Sequence, residues 1–235
     1  MRKFVFDVDG TLTPSRGKID PQFEAWFSNF IQREKVFLVT GSDYPKTVEQ
    51  LGAEICESVA CCYNCSGSDV WFKGKRVNSS DWVMPQNARD WLQKQLNESG
   101  FVLRTGNHLE DRPGMLNFSV VGRNATQKER ALYVEYDEET GERERIAREF
   151  NYIFGQSNAC IMAKVGGETG LDIFPIGKDK SQILVDFNED DDIIFFGDKM
   201  DLGGNDEPLA RCNTNGTNHH VSGWKETWEI LKGYS

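Results

Sequence analysis

The sequence predicts an α/β fold, in which helices cover a parallel β-sheet and a smaller α+β segment is inserted into the chain. Apolar runs at residues 3–6, 36–39 and 193–196 are each followed by a turn with polar residues, which is typical of buried parallel strands. Amphipathic stretches between the runs predict helices on the faces of the sheet. In such sheets ligands bind at the carboxyl ends of the strands, so the residues that follow each run are candidate site residues.

Several helices are predicted from their start signals and their apolar faces. Asp20 and Pro21 are typical of an N-cap and a first helical position, and Pro45 is predicted to open a second helix. The buried face predicted for the first helix consists of Phe23, Trp26, Phe27, Phe30 and Ile31. That of the second helix consists of Val48, Leu51 and Ile55. A later helix is predicted after Asp179, with Ile183, Leu184 and Phe187 inward.

The pattern changes to hairpins and amphipathic helices after residue 80, which predicts a separate domain inserted over residues 81–176. Residues 1–80 and 177–235 are then expected to form one catalytic core. Within the insert, Thr126 and Glu129 have the spacing of a capping box, which predicts the start of a helix. The other elements predicted in the insert are helices at 87–99 and 143–154 and strands at 101–104, 114–121, 159–165 and 171–174.

Composition and charge limit the classes of partner. The formal net charge of −10 argues against a nucleic-acid partner, and no apolar run in the 235 residues approaches the ~20 that a membrane span needs. The chain enters its first strand at once, leaving no room for a signal peptide, so we expect a cytoplasmic protein with reduced cysteines.

A zinc site remains an alternative for one cysteine cluster, although no second ligand pair with zinc spacing completes it. The cluster comprises Cys56, Cys61, Cys62 and Cys65.

The turn after the first strand carries two carboxylates, Asp7 and Asp9. Residues i and i+2 of a strand point to one side, and two close carboxylates favour a cation between them or a shared proton. Magnesium prefers such oxygen ligands and bridges carboxylates to phosphates. The alternative is an acidic turn without chemistry. Residues 7–13, DVDGTLT, resemble the signature of the haloacid-dehalogenase-like (HAD) phosphotransferases at every position.

The HAD resemblance implies a Rossmannoid core and an aspartyl-phosphate mechanism. Asp7 would attack phosphorus, and Asp9 would exchange a proton with the leaving and incoming oxygens. This chemistry also needs a hydroxyl and a cation near the phosphate, for which Thr40 and Lys180 are the candidates at a strand end and a helix start. Asp206 is predicted to orient a metal-bound water. The residues predicted to hold magnesium are Asp7, Asp9 through its backbone carbonyl, Asp198 and Asp206.

The insert carries three arginines that can converge, Arg112, Arg123 and Arg130. Guanidinium groups match the geometry of phosphate oxygens, which makes the three candidates for a second anion site. Scattered arginines are otherwise ordinary surface charges, and that alternative stays open from spacing alone.

Further short motifs run through most of the chain. They lie at residues 6–14, 41–43, 49–52, 112–117, 122–123, 129–130, 166–167, 172–175, 179–180, 195–199 and 203–206. They resemble the eukaryotic-type phosphomannomutases, a HAD branch with an inserted type IIB α/β cap. The pattern departs from the family at Gly170, where a serine is expected, at residues 64–68, and in the tail after Asp206.

The narrower resemblance implies a hexose phosphomutase that interconverts the 6- and 1-phosphates of mannose or glucose and serves nucleotide-sugar synthesis. A hexose 1,6-bisphosphate would be its activator, magnesium its metal, and a homodimer would form through the cap. The residues implied to bind the sugar phosphate are Arg16, Arg112, Arg123, Arg130 and Asp172. A sugar-phosphate phosphatase, in which water discharges the phosphoenzyme, is the alternative, and a sensor without catalysis is a third class.

Overall fold

The computed structural model describes residues 1–15, 17–157 and 159–234. These residues divide into two compact units. The first unit contains residues 1–80 and those from 178 onward, and the second contains residues 81–177. Gly177 thus belongs to the second unit, whereas the sequence placed it in the core. No helix among the described residues combines the length and the apolarity that crossing a bilayer requires.

Both units contain strands and helices. In chain order the strands of the described residues are β1 (Arg2–Phe6), β2 (Val36–Val39), β3 (Cys61–Asn64), β4 (Asp69–Phe72), β5 (Lys75–Ser79), β6 (Leu109–Arg112), β7 (Met115–Phe118), β8 (Ile161–Gly166), β9 (Gly170–Pro175), β10 (Asp192–Gly197) and β11 (Thr217–His220). The α-helices are α1 (Pro21–Ile31), α2 (Tyr44–Leu51), α3 (Ala53–Ser58), α4 (Gln86–Glu98), α5 (Gln127–Thr140), α6 (Glu142–Phe154), α7 (Glu207–Cys212) and α8 (Trp224–Lys232). Short 3₁₀ helices span Cys65–Gly67 and Lys180–Asp186.

The first unit is built on a sheet whose described strands follow the order β11-β10-β1-β2-β3-β4-β5. The strands from β11 to β3 are parallel, and β4 and β5 extend the sheet as an antiparallel hairpin. The predicted α/β fold with a parallel sheet is therefore confirmed. The three apolar runs became β1, β2 and β10, which are neighbours in the sheet. Their carboxyl ends consequently lie along one edge.

Packing of α1 against β1 fixes the strand that leads into the candidate site. The Asp20 carboxylate caps α1 by accepting from the backbone N–H of Phe23 at 3.2 Å. Phe27 of α1 meets Phe6 of β1 edge to face at a centroid distance of 5.4 Å, and both rings are fully buried. Burying a phenylalanine side chain contributes roughly 1.5–3 kcal/mol. The end of β1, where Asp7 follows, is thus anchored in the core.

The prediction of a single second helix is wrong, because this segment forms two helices. The segment that Pro45 opens ends at Leu51, and α3 begins at Ala53. Gly52 between them has φ +84°, a backbone conformation that residues with a side chain rarely adopt. Ile55 is still buried, but it packs from α3 rather than from the same helix as Leu51.

The second unit is an antiparallel sheet of the order β6-β7-β9-β8, packed with α4, α5 and α6 into its own core. The predicted capping box is confirmed at the start of α5. The Thr126 hydroxyl accepts from the Glu129 backbone N–H at 3.4 Å, and the Glu129 carboxylate accepts from the Thr126 backbone N–H at 2.7 Å. Fully buried members of this core include Leu116, Phe118, Tyr133, Ile146, Phe150, Ile161 and Ile173.

The strand predicted at residues 101–104 is wrong, because this segment has no regular secondary structure. The Arg104 guanidinium donates to the backbone carbonyl of Leu96 at 2.9 Å, which holds the segment against the end of α4. The strand of this region is β6 instead, and its Arg112 lies opposite Met115 of β7. Its sequence, LEDR, lacks the apolar run that signals a strand. The strand predicted at 114–121 forms, but over the shorter range of β7.

A buried ion pair joins Lys3 of β1 to Asp191, just before β10. The hydrogen bond from Lys3 lowers the pKa of Asp191 to about 2. Since an unperturbed aspartate has a pKa of about 3.9, the stabilisation is complete above about pH 4 and is lost as the pH falls through 2. We expect Asp191→Asn to lower the urea midpoint at pH 7, and the gap to wild type to shrink towards pH 2.

Urea unfolding between pH 2 and pH 7 measures this. The matched control is Asp190→Asn, an exposed neighbour in the same acidic loop, which should follow the wild type at every pH. If the difference in urea midpoint between Asp191→Asn and the wild type stayed constant with pH, the charge of Asp191 would not be what stabilises the fold.

Candidate active site

Three carboxylates meet at the carboxyl edge of the parallel sheet in the first unit. Asp7 directly follows β1, Asp198 directly follows β10, and Asp206 directly precedes α7. An oxygen from each carboxylate lies within 4.8 Å of one from each of the others. Among the described residues this is the group of acidic, histidine or cysteine side chains whose spacing suits a metal ion. The cysteine cluster forms no such group there, so the described structure does not support the zinc alternative.

Lys180 lies inside this group and is fully buried. Its ammonium donates to Asp7 Oδ1 at 2.6 Å and to Asp206 Oδ1 at 2.7 Å. The lysine begins the 3₁₀ helix Lys180–Asp186, which Asp179 caps by accepting from the Ser181 backbone N–H at 3.0 Å. The helix predicted here is thus confirmed at its start but is 3₁₀ in type. It ends before Phe187, which is only half-buried.

The pKa directions of these groups follow from burial together with an excess of negatively charged side chains. Burial raises the pKa of Asp7 well above its ordinary value, and the charges of Asp206 and Asp198 add to the rise against the opposing effect of Lys180. Burial and the charge of Asp206 also raise the pKa of Asp198. Burial alone would lower the pKa of Lys180, but the two carboxylates it contacts raise it above its ordinary value. One ammonium against three carboxylates leaves a deficit of positive charge, which a hard divalent cation with oxygen ligands would fill.

Asp9 is not a member of the three-carboxylate group, and its side chain accepts hydrogen bonds from Gln50 and Ser42. Gln50 Nε2 donates to Asp9 Oδ1 at 2.9 Å, and the Ser42 hydroxyl donates to Oδ2 at 3.3 Å. The next residue, Gly10, has φ +80°, and a Cβ there would come within 2.4 Å of an Asp198 carboxylate oxygen. A glycine is therefore required for Asp198 to approach this turn.

Thr40 directly follows β2 and is buried. Its hydroxyl oxygen accepts from the Ser42 backbone N–H at 3.1 Å. Since β1 and β2 are parallel neighbours, Thr40 and Asp7 leave the sheet at the same edge. A hydroxyl that accepts in this way can still donate its proton to a phosphoryl oxygen.

The predicted arginines of the second unit are held by glutamates. Arg112 Nε donates to Glu110 Oε2 at 2.9 Å, and Arg123 Nε lies 3.2 Å from the same oxygen. Arg130, on α5, donates to Glu168 Oε2 at 2.7 Å. Carboxylate oxygens that accept from guanidinium groups in this way fix the orientation of those groups.

The three arginines also act on one another electrostatically. Burial lowers the pKa of Arg123, and the positive charges of Arg112 and Arg130 lower it further, whereas Glu110 and Asp172 oppose the shift. These side chains are therefore neighbours in one group on the second unit, which we call the arginine group. It comprises Arg112, Arg123 and Arg130, with Asp172 beside them. Arg16, the fourth predicted arginine, lies outside the described residues.

Sequence reasoning missed the residues that hold the predicted ones in place. Asp172 on β9 accepts from Asn117 Nδ2 of β7 at 2.7 Å, and both side chains are buried. Glu110 is shared by two arginines, and Gln50 binds Asp9. The signal for Gln50 was its place in the 49–52 motif, to which the sequence assigned no role.

The fold and the site first define the class, which is an α/β protein with an acidic site at the carboxyl edge of a parallel sheet. Among solved structures, the N-terminally truncated, IMP-bound IMP-nucleotidase of Plasmodium falciparum has a TM-score of 0.66 to this chain. It is 15% identical, and the likeness covers 99% of this chain and 67% of that one. At this identity the likeness concerns the fold alone, and it agrees with the predicted α/β fold.

Sequence comparisons then identify the family. The family model described as eukaryotic phosphomannomutase matches residues 23–234. A probable phosphomannomutase of Caenorhabditis elegans is 32% identical over 234 residues, which cover 95% of this chain and 91% of the relative. Phosphomannomutase 1 of Homo sapiens is 35% identical over 216 residues, which cover 86% and 80%. The chain belongs to the eukaryotic phosphomannomutase family, and the resemblance seen in the sequence is confirmed.

Proposed function

We propose that the protein is a hexose phosphomutase, which interconverts the 6-phosphate and the 1-phosphate of mannose or glucose. Membership of the phosphomannomutase family supports the reaction. The observation that carries the proposal is that one chain contains two groups of charged side chains of different kinds, each suited to one step in handling a phosphate. The first unit offers a carboxylate beside a buried ammonium, whereas the second unit offers guanidinium groups oriented by glutamates.

In the first step Asp7 attacks the phosphorus of a phosphorylated sugar. A bond forms between an Asp7 carboxylate oxygen and phosphorus, the bond to the sugar oxygen breaks, and Asp9 donates a proton to that oxygen. In the return step the free hydroxyl of a sugar monophosphate attacks this phosphorus, Asp9 accepts its proton, and the bond to Asp7 breaks, so that a bisphosphate forms. When the bisphosphate binds in the opposite orientation, the first step removes its other phosphoryl group and leaves the isomeric monophosphate. A hexose 1,6-bisphosphate would load Asp7 at the start. Both steps conserve the phosphoryl group, so no water is consumed.

The surrounding residues stabilise the charge on the phosphoryl group. Lys180 is positioned by Asp206 and Asp7 so that its ammonium lies beside the nucleophile, and Thr40 can donate to a phosphoryl oxygen. Magnesium bound at this site would neutralise the phosphoryl oxygens. Its proposed ligands are Asp7, Asp198, the backbone carbonyl of Asp9 and Asp206, the last directly or through a water.

The arginine group and Arg16 are proposed to bind the phosphate that is not being transferred. Asp172 is proposed to accept a hydrogen bond from a sugar hydroxyl. Guanidinium forks match phosphate oxygens, and the glutamates already orient them. The mutase reaction requires such a second phosphate site, because the bisphosphate intermediate carries phosphate at both ends. We also propose a cytoplasmic location and a homodimer through residues 81–176, both supported by the family resemblance.

Phosphorus NMR of mannose 1-phosphate with magnesium and a trace of mannose 1,6-bisphosphate tests the function. We expect the 6-phosphate signal to grow, to stop on addition of a chelator, and to resume when magnesium is restored, because the carboxylate group needs a cation to bind phosphate. Inorganic phosphate as the main product would identify a phosphatase and contradict the proposal. An unchanged spectrum would also contradict the proposal and would leave the sensor without catalysis as the remaining class.

A further inference from the structure

We infer that Gln50 is a positioning residue that holds the carboxylate of Asp9 in place for proton transfer. The inference deepens the proposed function, because it assigns a residue that controls the acid–base group of that reaction. It arises from the hydrogen bonds around a buried amide on α2, whose side chain is 2% exposed.

The amide nitrogen of Gln50 faces acceptors only. Nε2 donates to Asp9 Oδ1 at 2.9 Å, to Thr13 Oγ1 at 3.3 Å and to the backbone carbonyl of Gly17 at 3.3 Å. The carboxylate and the carbonyl have no proton to offer, so the opposite amide orientation would set oxygen against oxygen. The contacts therefore fix which end of the amide faces Asp9.

The other end of the amide is left without a partner. Gln50 Oε1 is buried and accepts no hydrogen bond among the described residues. A buried polar atom without a partner costs free energy, and such atoms are rare in folded proteins. The side chain thus donates to Asp9 and to the turn after it, although its own carbonyl oxygen is left without a donor. Such an arrangement is expected where function sets the geometry.

The backbone around Gln50 is anchored, so the amide cannot easily follow a moving carboxylate. Asp43 caps the start of α2 by accepting from the Lys46 backbone N–H at 3.0 Å. The Gln50 carbonyl accepts from the Ile19 backbone N–H at 2.9 Å. Ser42 donates to the other carboxylate oxygen, so each oxygen of Asp9 accepts a hydrogen bond from a residue of the first unit. Proton transfer is sensitive to such placement, because the acid must lie within hydrogen-bond reach of the oxygen it serves.

The test compares two near-isosteric variants. Gln50→Met removes the amide donor at Asp9, whereas Asn213→Leu removes a buried amide that donates to the Ile193 carbonyl at 3.1 Å and to Asn218 at 2.9 Å, away from the site. We expect kcat for mannose 1-phosphate to fall by about 30-fold or more in Gln50→Met, with KM changed by less than about 3-fold. Asn213→Leu should lose thermal stability but keep kcat.

The variant Gln50→Glu and a crystal structure of Gln50→Met provide two further tests. Gln50→Glu should lower kcat further, since its carboxylate repels Asp9, and thermal melts show whether each variant is folded. In crystals of Gln50→Met we expect the Asp9 carboxylate to leave its wild-type position. An unmoved Asp9, or a folded Gln50→Met enzyme with wild-type kcat, would overturn the inference. If the wild type turned over no sugar phosphate, the proposed function would fail, but the position of Asp9 would still decide the role of Gln50.

Discussion

Asp7→Asn is expected to reduce turnover of mannose 1-phosphate by at least about a thousandfold while the protein stays folded. A carboxamide has no anionic oxygen to attack phosphorus, so no phosphoenzyme can form. The fold should tolerate the change because burial already disfavours the charged form of Asp7 and raises its pKa. Lys180 keeps its second partner, Asp206, at 2.7 Å. The measurements are kcat by phosphorus NMR and a thermal melt.

Asp201→Asn is the matched control, since this exposed aspartate lies on the loop between Asp198 and Asp206. It makes the same chemical change without touching the buried group, and it should retain wild-type turnover. An Asp7→Asn enzyme that kept a tenth or more of its activity would contradict a covalent route through this residue.

Lys180→Met is expected to have the second large effect, on both stability and activity. The fully buried ammonium donates to Asp7 and Asp206, so its removal leaves two buried carboxylates without their counter-charge. Breaking a buried ion pair from one side costs about 3–5 kcal/mol in the free energy of unfolding. Turnover should fall by about a thousandfold as well, because charge on the phosphoryl group then lacks its lysine. Urea unfolding and kcat measure the two effects.

Lys178→Met is the control for this change, since Lys178 is exposed and belongs to the same segment. It should unfold and turn over like the wild type. A Lys180→Met protein of wild-type stability would show that the carboxylates lose their charge when the lysine is absent, and that the ion pair contributes little to the fold.

The central strands could be predicted from the sequence because burial on both faces of a parallel sheet demands a continuous apolar run. The runs that became β1, β2 and β10 are of this kind, and the polar residues after them reach one edge by the geometry of parallel pairing. That rule, together with the short motifs, was enough to predict that Asp7, Thr40 and Asp198 belong to the site.

Other elements carry no such signal. All five residues of β5 are exposed, so its pairing with β4 shows in no apolar pattern. The arginine group depends on which strands pair in the second unit, and β6 is a charged segment that the sequence does not mark as a strand. Gln50 reaches Asp9 across 41 residues of chain, a contact that only the tertiary fold creates.

The central claim is that the phosphoryl group is carried on Asp7, and the most direct test is to locate it. The enzyme is mixed with magnesium and mannose 1,6-bisphosphate, quenched, and treated with borohydride, which reduces an aspartyl phosphate to homoserine. Peptide mass spectrometry should then find homoserine at position 7 in the wild type and none in Asp7→Asn. Homoserine at another aspartate, or at none while sugar phosphate is being converted, would contradict the account.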